Sequence, residues 1–539
     1  MSEQQLIRGT MILSMGIFIT KILGLIYVFP FTALVGQQGL ALYTYGYTPY
    51  TVLLSVATLG VPLAVSKFVS KYNALGDYHT GQRLLKSGLI FMSISGFIAF
   101  LLLFSLAEPI ANRVLDADDL SGNTISDAVF VIRMVSAALI VVPVMAIIRG
   151  YFQGHNSMGP TAVSQVIEQV IRIAFILLLT WIILYQFEGS LGTAVGFATF
   201  GAFVGAIGGL VVLLYYYKKR MPSLQEQVKE SAVDHKLPLS TMYKELIRYA
   251  LPLSFVGLAI PLYQMVDLFT FNHAMITRAG FEAVEAERYF GAFQQASHKL
   301  IMIPVSIATA MSLTILPTVT KAHTMNDTDR LQRTVTQTYQ IIVFLTVPAA
   351  IGLMLVATPA YAALFGFDGL QIGAEVLRAY APAAILFSVF AVTASLLQGI
   401  NKQYYAILAL VAGLAFKLLT NSLFIGWFGP EGAILATTIG YAVAVFVNAY
   451  AIGKFTNYNY KQIGKRFVVV AAFTLLMGAV VAFLTYGLTE TLTLDTRMNA
   501  FIVLLLAVGA GGIVYMNLAI RSGLAGIVLG ERFAVLKKR

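Results

Sequence analysis

Residues 9–34 read GTMILSMGIFITKILGLIYVFPFTAL, an apolar stretch in which Lys21 is the only charged side chain. A helix needs about 20 predominantly apolar residues to cross the hydrocarbon core of a bilayer. This stretch is long enough to cross, and no small-residue cleavage site follows the polar start MSEQQLIRGT. We therefore expect a membrane helix here and not a signal peptide that is removed.

The rest of the chain has the same apolar character. Hydrophobic residues make up 58% of it, charged residues 11%, and the mean hydropathy is +0.79. Ordinary globular proteins carry about 25% charged residues, so this chain has too little charge to solvate a soluble surface. We predict an all-α polytopic membrane protein with about fourteen transmembrane helices. The predicted spans lie near 9–34, 42–66, 87–107, 125–148, 161–186, 191–217, 249–274, 291–320, 335–358, 373–400, 403–427, 432–453, 467–487 and 498–520.

The basic residues indicate how these spans are oriented. The formal net charge is +11 and the pI is about 9.5, and Lys and Arg collect in every second loop, for example at Lys218–Arg220. Cytoplasmic loops carry such an excess, so both termini are predicted to be cytoplasmic. The charge then indicates contact with anionic membrane lipids and not with nucleic acid. The basic, partly apolar segment 521–539 reads either as an interfacial helix or as a topology anchor. The chain contains no cysteine, which excludes disulfides and thiolate metal sites.

An internal repeat divides the spans into two halves. At an offset of 245 residues, Val131-Ile132-Arg133 matches Val376-Leu377-Arg378, and Gln153-Gly154 matches Gln398-Gly399. An offset of six spans keeps both halves in the same orientation, which predicts two parallel-repeat lobes around a central cavity, an arrangement typical of transporters. The predicted domains are an N-lobe (1–217), a cytoplasmic linker (218–247), a C-lobe (248–453) and a last helix pair with a basic tail (454–539).

Ionisable residues inside the predicted spans mark candidate functional positions. A charged group at the bilayer centre costs roughly 2.5–3.5 kcal/mol and needs a partner or a water-filled cavity. Glu168 and Arg172 are four residues apart and are expected to form an ion pair on one helix face. Arg133 and Arg378 are repeat equivalents near the outer ends of their spans, and we predict either a shared structural role or a gate for them.

Two lysines are candidates for binding an anionic substrate. Lys21 lies about 20 Å beyond Arg8 along its helix, and no acid lies within one turn of it. Lys299 lies within the eighth predicted span, next to His298. Cations in a membrane cavity suit phosphate, which charge-assisted hydrogen bonds hold. The alternative is that each lysine pairs with an acid, and Asp267 is the candidate.

Three motifs resemble the polysaccharide-flippase branch of the multidrug/oligosaccharidyl-lipid/polysaccharide superfamily, and in particular its lipid II flippases and sporulation proteins. The likeness extends over essentially the whole chain. The motifs are Lys21-Ile22-Leu23-Gly24-Leu25; Lys299-Leu300 with Pro304, Ile315-Leu316-Pro317 and Thr320-Lys321; and Arg149-Gly150-Tyr151-Phe152-Gln153-Gly154 with Gly159-Pro160.

The resemblance implies a function and a set of site residues. It implies alternating access in a bacterial plasma membrane and movement of undecaprenyl-diphosphate-linked peptidoglycan precursor (lipid II) from the inner to the outer leaflet. Lys21 and Lys299 would hold the diphosphate, together with His298 and with Tyr27, which stands where the relatives have a second arginine. Some family members bind Na⁺ in the second lobe, and the candidate ligands here are Asp267, Asn421 and Thr437.

Other functions stay open at the level of sequence. They are a flippase for another lipid-linked glycan, a drug antiporter, and a membrane enzyme that uses the loop carboxylates Asp116, Asp118 and Asp119. We expect no enzyme activity, because the sequence shows no nucleophile motif, no metal-spaced histidines and no phosphate-binding glycine loop. Transport would then draw on a Na⁺ or H⁺ gradient or on the membrane potential, with no bound cofactor. We expect a monomer.

Overall fold

The computed structural model describes residues 3–58, 60–115, 122–229, 231, 238, 240–244 and 254–529. About 90% of these described residues are helical, and no strand occurs among them. In chain order the helices are α1 (Glu3–Ile26), α2 (Val28–Thr58), α3 (Val61–Ala74), α4 (Tyr78–Ser105), α5 (Ala107–Val114), α6 (Ile125–Ser136), α7 (Ala138–Gly154), α8 (Met158–Trp181), α9 (Leu191–Lys229), α10 (Ala259–Thr277), α11 (Ala283–Gly291), α12 (His298–Thr324), α13 (Thr328–Leu355), α14 (Ala357–Phe365), α15 (Leu370–Tyr380), α16 (Ala383–Gly399), α17 (Gln403–Phe428), α18 (Pro430–Thr456), α19 (Lys461–Thr491), α20 (Arg497–Arg521) and α21 (Leu524–Leu529).

Many of these helices are membrane spans by length and composition. Among the described residues, eleven helical stretches are long and apolar enough to cross, or twelve if the bent pair α15 and α16 is one span. The first stretch, Met11–Thr58, has 48 residues and is interrupted at Tyr27. At about 1.5 Å per residue it suffices for two crossings of a core about 30 Å thick. The predicted all-α multi-pass class is confirmed, and a total of about fourteen crossings is consistent with these lengths.

The internal repeat is visible in the helix lengths. The helices α7 and α16 have 17 residues each, begin 245 positions apart, and are followed by α8 and α17 at the same offset. Between each pair the chain turns at an asparagine with positive φ, Asn156 at 54° and Asn401 at 57°. Asparagine tolerates this left-handed conformation better than most residues with a Cβ. The sequence match is thus a match of helix–turn–helix geometry.

The chain divides into two compact units, Met1–Leu268 (unit 1) and Phe269–Arg539 (unit 2), and the boundary lies within α10. The predicted domain bounds at 217, 247 and 453 stay predictions. In unit 1, a buried cluster from α3, α4, α7 and α9 includes Val65, Phe68, Leu84, Ile147 and Leu213. This cluster packs together one end of several helices of unit 1.

Close helix packing in unit 1 depends on small residues. A Cβ on Gly205 of α9 would lie 2.8 Å from Cβ of Arg172 and 2.8 Å from the carbonyl oxygen of Glu168. A Cβ on Gly209 would lie 3.2 Å from that of Glu168. The backbone of α9 therefore runs directly against the part of α8 that carries the predicted ion pair.

The described part of the predicted linker is structured. The helix α9 continues to Lys229, and the hydroxyl of Ser231 accepts from the Tyr78 amide (3.1 Å) and donates to the Gly76 carbonyl (3.0 Å). Farther on, the Tyr243 hydroxyl donates to Ser87 Oγ at 3.1 Å, and Met242 is buried in the core cluster. These segments therefore pack on unit 1. Residues 230, 232–237, 239 and 245–247, the acids at 116, 118 and 119, and the tail beyond 529 lie outside the described residues.

A partly buried histidine at the turn after α7 is expected to make unit 1 sensitive to acid. Asn73 Nδ2 donates to His155 Nδ1 (3.1 Å), and the Tyr151 ring packs edge-on at 4.5 Å. Burial, and then the nearby Arg220 guanidinium, lower the pKa of His155 from 6.5 to about 4. The folded protein therefore holds this side chain neutral at pH values where the unfolded chain protonates it.

Acidification is expected to destabilise the wild type more than His155→Gln. Between pH 6.5 and about 4 only the unfolded state gains the proton, so stability is full above pH 6.5 and falls as the pH falls through this window. With allowance for partial exposure, the loss is on the order of 1–2 kcal/mol. Unfolding temperatures at pH 7 and pH 5 measure it, with His79→Gln, on the exposed start of α4, as the control. Equal acid losses in wild type and His155→Gln would contradict this role.

Candidate substrate site

Lys21 lies on the exposed side of α1. The helix packs on α8 at two glycines: a Cβ on Gly16 would lie 2.8 Å from Cβ of Ala162, and one on Gly24 would lie 3.4 Å from Nε2 of Gln169. Lys21 is between these contacts along α1, which places it near the depth of Glu168 on α8. An exposed ammonium group at this depth is tolerated only where it meets water or an anion.

Glu168 bonds two arginines. Its Oε1 accepts from Arg172 at 2.8 Å, which is the pair expected from the four-residue spacing. Its Oε2 accepts from Arg149 of α7 at 2.9 Å, and Nε of Arg149 also donates to Ser164 Oγ at 3.0 Å. In the sequence analysis Arg149 appears only as the first residue of a motif, with no partner assigned. Its ion pair with Glu168 joins α7 to α8. Because the two residues lie on different helices, no i, i+4 spacing in the sequence indicates this pair.

Tyr27 begins a row of aromatic side chains. It lies at the break between α1 and α2, is buried, and shares a hydrogen bond with Tyr43. Phe31 packs between these two tyrosines, and the row continues from Tyr43 to Tyr47 (5.2 Å, stacked) and to Tyr50 (5.4 Å). The sequence analysis included only Tyr27 from this row, although the i, i+4 spacing of Tyr43 and Tyr47 is visible in the sequence.

In unit 2, a π-helical segment leads into the predicted binding residues. It spans Ala292–Ser297 and is followed directly by His298 and Lys299. π-Helical turns are rare and occur often at functional sites, because the extra residue per turn changes the directions of the following side chains. His298 is 8% exposed and its Nδ1 lies 3.2 Å from the Tyr380 hydroxyl, whereas Lys299 is half-buried.

One of the candidate sodium ligands, Thr437, is hydrogen-bonded to a lysine. Lys417 is 0% exposed, and its Nζ donates to Thr437 Oγ1 at 2.6 Å. The Thr437 hydroxyl in turn donates to the Ala433 carbonyl at 2.8 Å, and Asn421 Nδ2 donates to Thr270 Oγ1 at 2.7 Å. A sodium ion on the Thr437 oxygen would lie beside an ammonium group, and like charges about 4 Å apart repel by roughly 4 kcal/mol near a protein surface.

The residues therefore do not fit a sodium ion at Thr437. Asp267 is buried, 1% exposed, and belongs to unit 1. Within the described ranges, no group of three His, Asp or Glu side chains is placed to hold a metal ion. We derive no transport step from sodium.

The two repeat-equivalent arginines are both exposed but make different contacts. The Arg133 guanidinium lies over the Phe104 ring at 4.9 Å. Arg378 donates to Thr358 Oγ1 at 3.1 Å, close to Glu375, which accepts from the Tyr289 hydroxyl at 3.2 Å. Their structural or gating roles stay predictions.

Unit 2 also contains an apolar groove, which the sequence analysis did not identify. Its volume is about 440 Å³, and it is lined by α12, α13, α14, α19 and α20. The lining includes Leu300, Phe344, Leu353, Val481 and Val508 and offers almost no polar surface. Because Leu300 directly follows Lys299, the groove begins beside a predicted anion-binding residue.

Known proteins share the sequence and the fold of this chain. The family described as "Polysaccharide biosynthesis protein" matches residues 6–323. The lipid II flippase MurJ of Bacillus subtilis (strain 168) is 45% identical over 533 residues, 98% of each chain. Stage V sporulation protein B of the same organism is 22% identical over 512 residues, 92% of this chain and 93% of that protein.

Two solved structures have a similar fold. One is the lipid II flippase MurJ in an inward closed conformation, with a TM-score of 0.66 and 16% identity, covering 95% of this chain and 99% of that chain. The other is an inward-facing multidrug resistance transporter of the MATE family and the MOP superfamily, with a TM-score of 0.65 and 16% identity, covering 83% and 95%.

We expect the stability of the purified protein to be independent of sodium. The unfolding temperature should be the same in NaCl and KCl at equal ionic strength, because the Lys417 ammonium group already binds Thr437. Lys417→Met should lower it by a few degrees, since a charge-assisted hydrogen bond is worth about 1.5–3 kcal/mol. Lys461→Met, at an exposed position, is the control. A wild type stabilised by sodium but not by potassium would contradict this prediction.

Proposed function

The chain belongs to the polysaccharide biosynthesis protein family, and from that premise we propose that it flips lipid II from the inner to the outer leaflet by alternating access. It is a multi-pass protein of the plasma membrane. The identity of 45% over 98% of a lipid II flippase supports the substrate. The relatives are named as flippases and transporters, so the function is transport and not catalysis.

One observation supports this function most strongly: a cation and an apolar groove are neighbours in unit 2. Lys299 and Leu300 are consecutive residues of α12, and Leu300 lines the groove. A polyprenyl diphosphate has the complementary arrangement, with a doubly charged group joined directly to a long hydrocarbon chain. The groove volume of about 440 Å³ accommodates part of such a chain, while Lys299 holds a diphosphate oxygen by a charge-assisted hydrogen bond.

The corresponding cation of unit 1 is Lys21. Its exposure at mid-membrane depth leaves the ammonium group accessible to a diphosphate, and Tyr27 and His298 complete the proposed substrate-binding set. Each lysine belongs to a different unit.

The membrane potential supplies a driving force that needs no nucleotide. A potential that is negative inside favours outward movement of an anionic headgroup, by about 2.3 kcal/mol per charge for each 100 mV. Because the residues around Thr437 do not fit sodium, we propose the potential or a proton as the energy source. Anionic membrane lipids at the basic cytoplasmic face and a monomeric state belong to this proposal.

A flippase for a different lipid-linked glycan is the second candidate. The family description, polysaccharide biosynthesis, favours it, because it names no particular lipid-linked unit. Both substrates share the polyprenyl diphosphate, so the proposed contacts of Lys21 and Lys299 apply to either.

The test is translocation of fluorescent lipid II in proteoliposomes. Lys21→Ala and Lys299→Ala are each expected to lower the rate roughly 10- to 100-fold, since a charged hydrogen bond is worth about 1.5–3 kcal/mol. Lys218→Ala, at an exposed cytoplasmic position of α9, should transport as the wild type does. All variants are compared at matched unfolding temperature and incorporation.

Two outcomes would change the proposal. If the wild type moves another undecaprenyl-linked glycan but not lipid II, the second candidate replaces the first. If both lysine variants transport at the wild-type rate, the lysines are not the diphosphate ligands.

A further inference from the structure

The site at Glu168 has one positive charge more than its ion pairing requires. One carboxylate lies between the guanidinium groups of Arg149 and Arg172, at 2.9 and 2.8 Å. Arg149 alone would neutralise Glu168, and it has a further bond to Ser164. Arg172 therefore adds a net charge of +1 to a largely buried cluster, where an uncompensated charge is costly.

Arg172 also has unused bonding capacity. Its Nε is buried and has no hydrogen-bond partner among the described residues. An arginine presents five N–H donors in a planar fork that suits phosphate. Arg172 follows the start of α8 at Met158 by 14 residues, so it lies about 21 Å from that end of the helix, near the middle of the membrane.

The packing of α9 holds the stem of Arg172 in place. Gly205 lets the α9 backbone approach the Cβ atom of Arg172, and Glu168 fixes one end of its guanidinium group. The aromatic row of α2 lies within electrostatic range of Arg172, and Tyr47 is one of the neighbouring tyrosines. The arginine is thus positioned before any ligand arrives.

The aromatic row provides flat surfaces beside this cation. Tyr43 and Tyr47 stack at 5.2 Å, and Tyr50 follows at 5.4 Å. Tyr43 and Tyr50 are buried, whereas Tyr47 is half-exposed. A half-exposed phenol ring beside a guanidinium group provides an apolar face, a hydroxyl group and a positive charge together.

We propose that Arg172 and Tyr47 form a binding site in unit 1 for the phosphorylated sugar of the transported lipid: the guanidinium of Arg172 binds a phosphate oxygen, and the Tyr47 ring packs on the adjoining sugar. This assignment rests on the proposed function and adds two residues to the predicted substrate-binding set. In the sequence analysis Arg172 was expected to form an ion pair with Glu168. The ion pair is present, and it orients a second arginine that the carboxylate does not need.

Two matched variants, Arg172→Gln and Arg149→Gln, distinguish a role of Arg172 in substrate binding from a purely structural role. Each removes one of the two guanidinium groups on Glu168 and leaves the other pair intact. If both arginines were only structural, the two variants would bind substrate alike. The measurement is binding of fluorescent short-chain lipid II to the purified full-length protein, with the unfolding temperature of each variant recorded alongside.

We expect Arg172→Gln to weaken binding at least tenfold and Arg149→Gln to weaken it clearly less, because Arg149→Gln removes the excess positive charge but leaves the Arg172 guanidinium in place. Tyr47→Leu retains both ion pairs and should weaken binding several-fold, which keeps the test decisive if Arg172→Gln folds poorly. Excess phosphatidylglycerol should not displace the probe. Displacement would overturn the sugar-phosphate assignment in favour of an ordinary lipid headgroup.

Equal binding by Arg172→Gln, Tyr47→Leu and the wild type would overturn the inference while leaving the proposed function in place. A wild type that binds no lipid II would overturn the proposed substrate itself, and the assignment of Arg172 to it. The two failures are therefore distinguishable within one set of measurements.

Discussion

Charges inside a hydrocarbon layer are the constraint on which this structure depends. An ionised side chain at mid-membrane depth has to find a counter-charge, a polar partner or water. Two of the described intramembrane charges find partners that the structure shows directly. Glu168 binds Arg149 and Arg172, and Lys417 binds Thr437. Lys21 is exposed on α1, and its position is compatible with a membrane only if water or an anionic headgroup reaches it. A transporter of an anionic lipid would meet that condition, since under the proposed function its substrate supplies the counter-charge.

Duplicated helices and close helix packing position these charged side chains within the membrane-spanning part of the fold. The helix–turn–helix α7–α8 recurs as α16–α17, with a left-handed asparagine at both turns. In unit 1, Gly205 brings α9 against the stem of Arg172, and Gly24 brings α1 against Gln169. In unit 2, a π-helical turn directly precedes His298, and Leu300, the residue after Lys299, lines the apolar groove. Small residues and one irregular turn thus shape the surroundings of the predicted site residues.

Hydrophobic periodicity and residue spacing predicted the fold class, the repeat and one ion pair. The contacts that they did not predict depend on tertiary packing. The apolar stretches gave the membrane class, and the offset of 245 residues gave the repeat that α7 and α16 reproduce at equal length. The pair Glu168–Arg172 followed from helix geometry. Arg149 could not be assigned to the same carboxylate, because its partner lies 19 residues away on another helix and only packing brings them together. The π-helical turn and the groove depend on tertiary contacts, and the occupation of Thr437 by Lys417 depends on the rotamer of a long side chain.

The most direct test of this account is water access to Lys21. The chain has no cysteine, so Lys21→Cys introduces a single thiol, and a charged methanethiosulfonate reagent modifies only thiols that ionise in water. We predict rapid modification of Lys21→Cys in proteoliposomes and a slower reaction when lipid II is present. Met15→Cys, on the same helix beside the apolar surface of α1 and α8, should not react. If Lys21→Cys were as unreactive as Met15→Cys, residue 21 would face lipid, and the assignment of Lys21 to an anionic headgroup would be wrong.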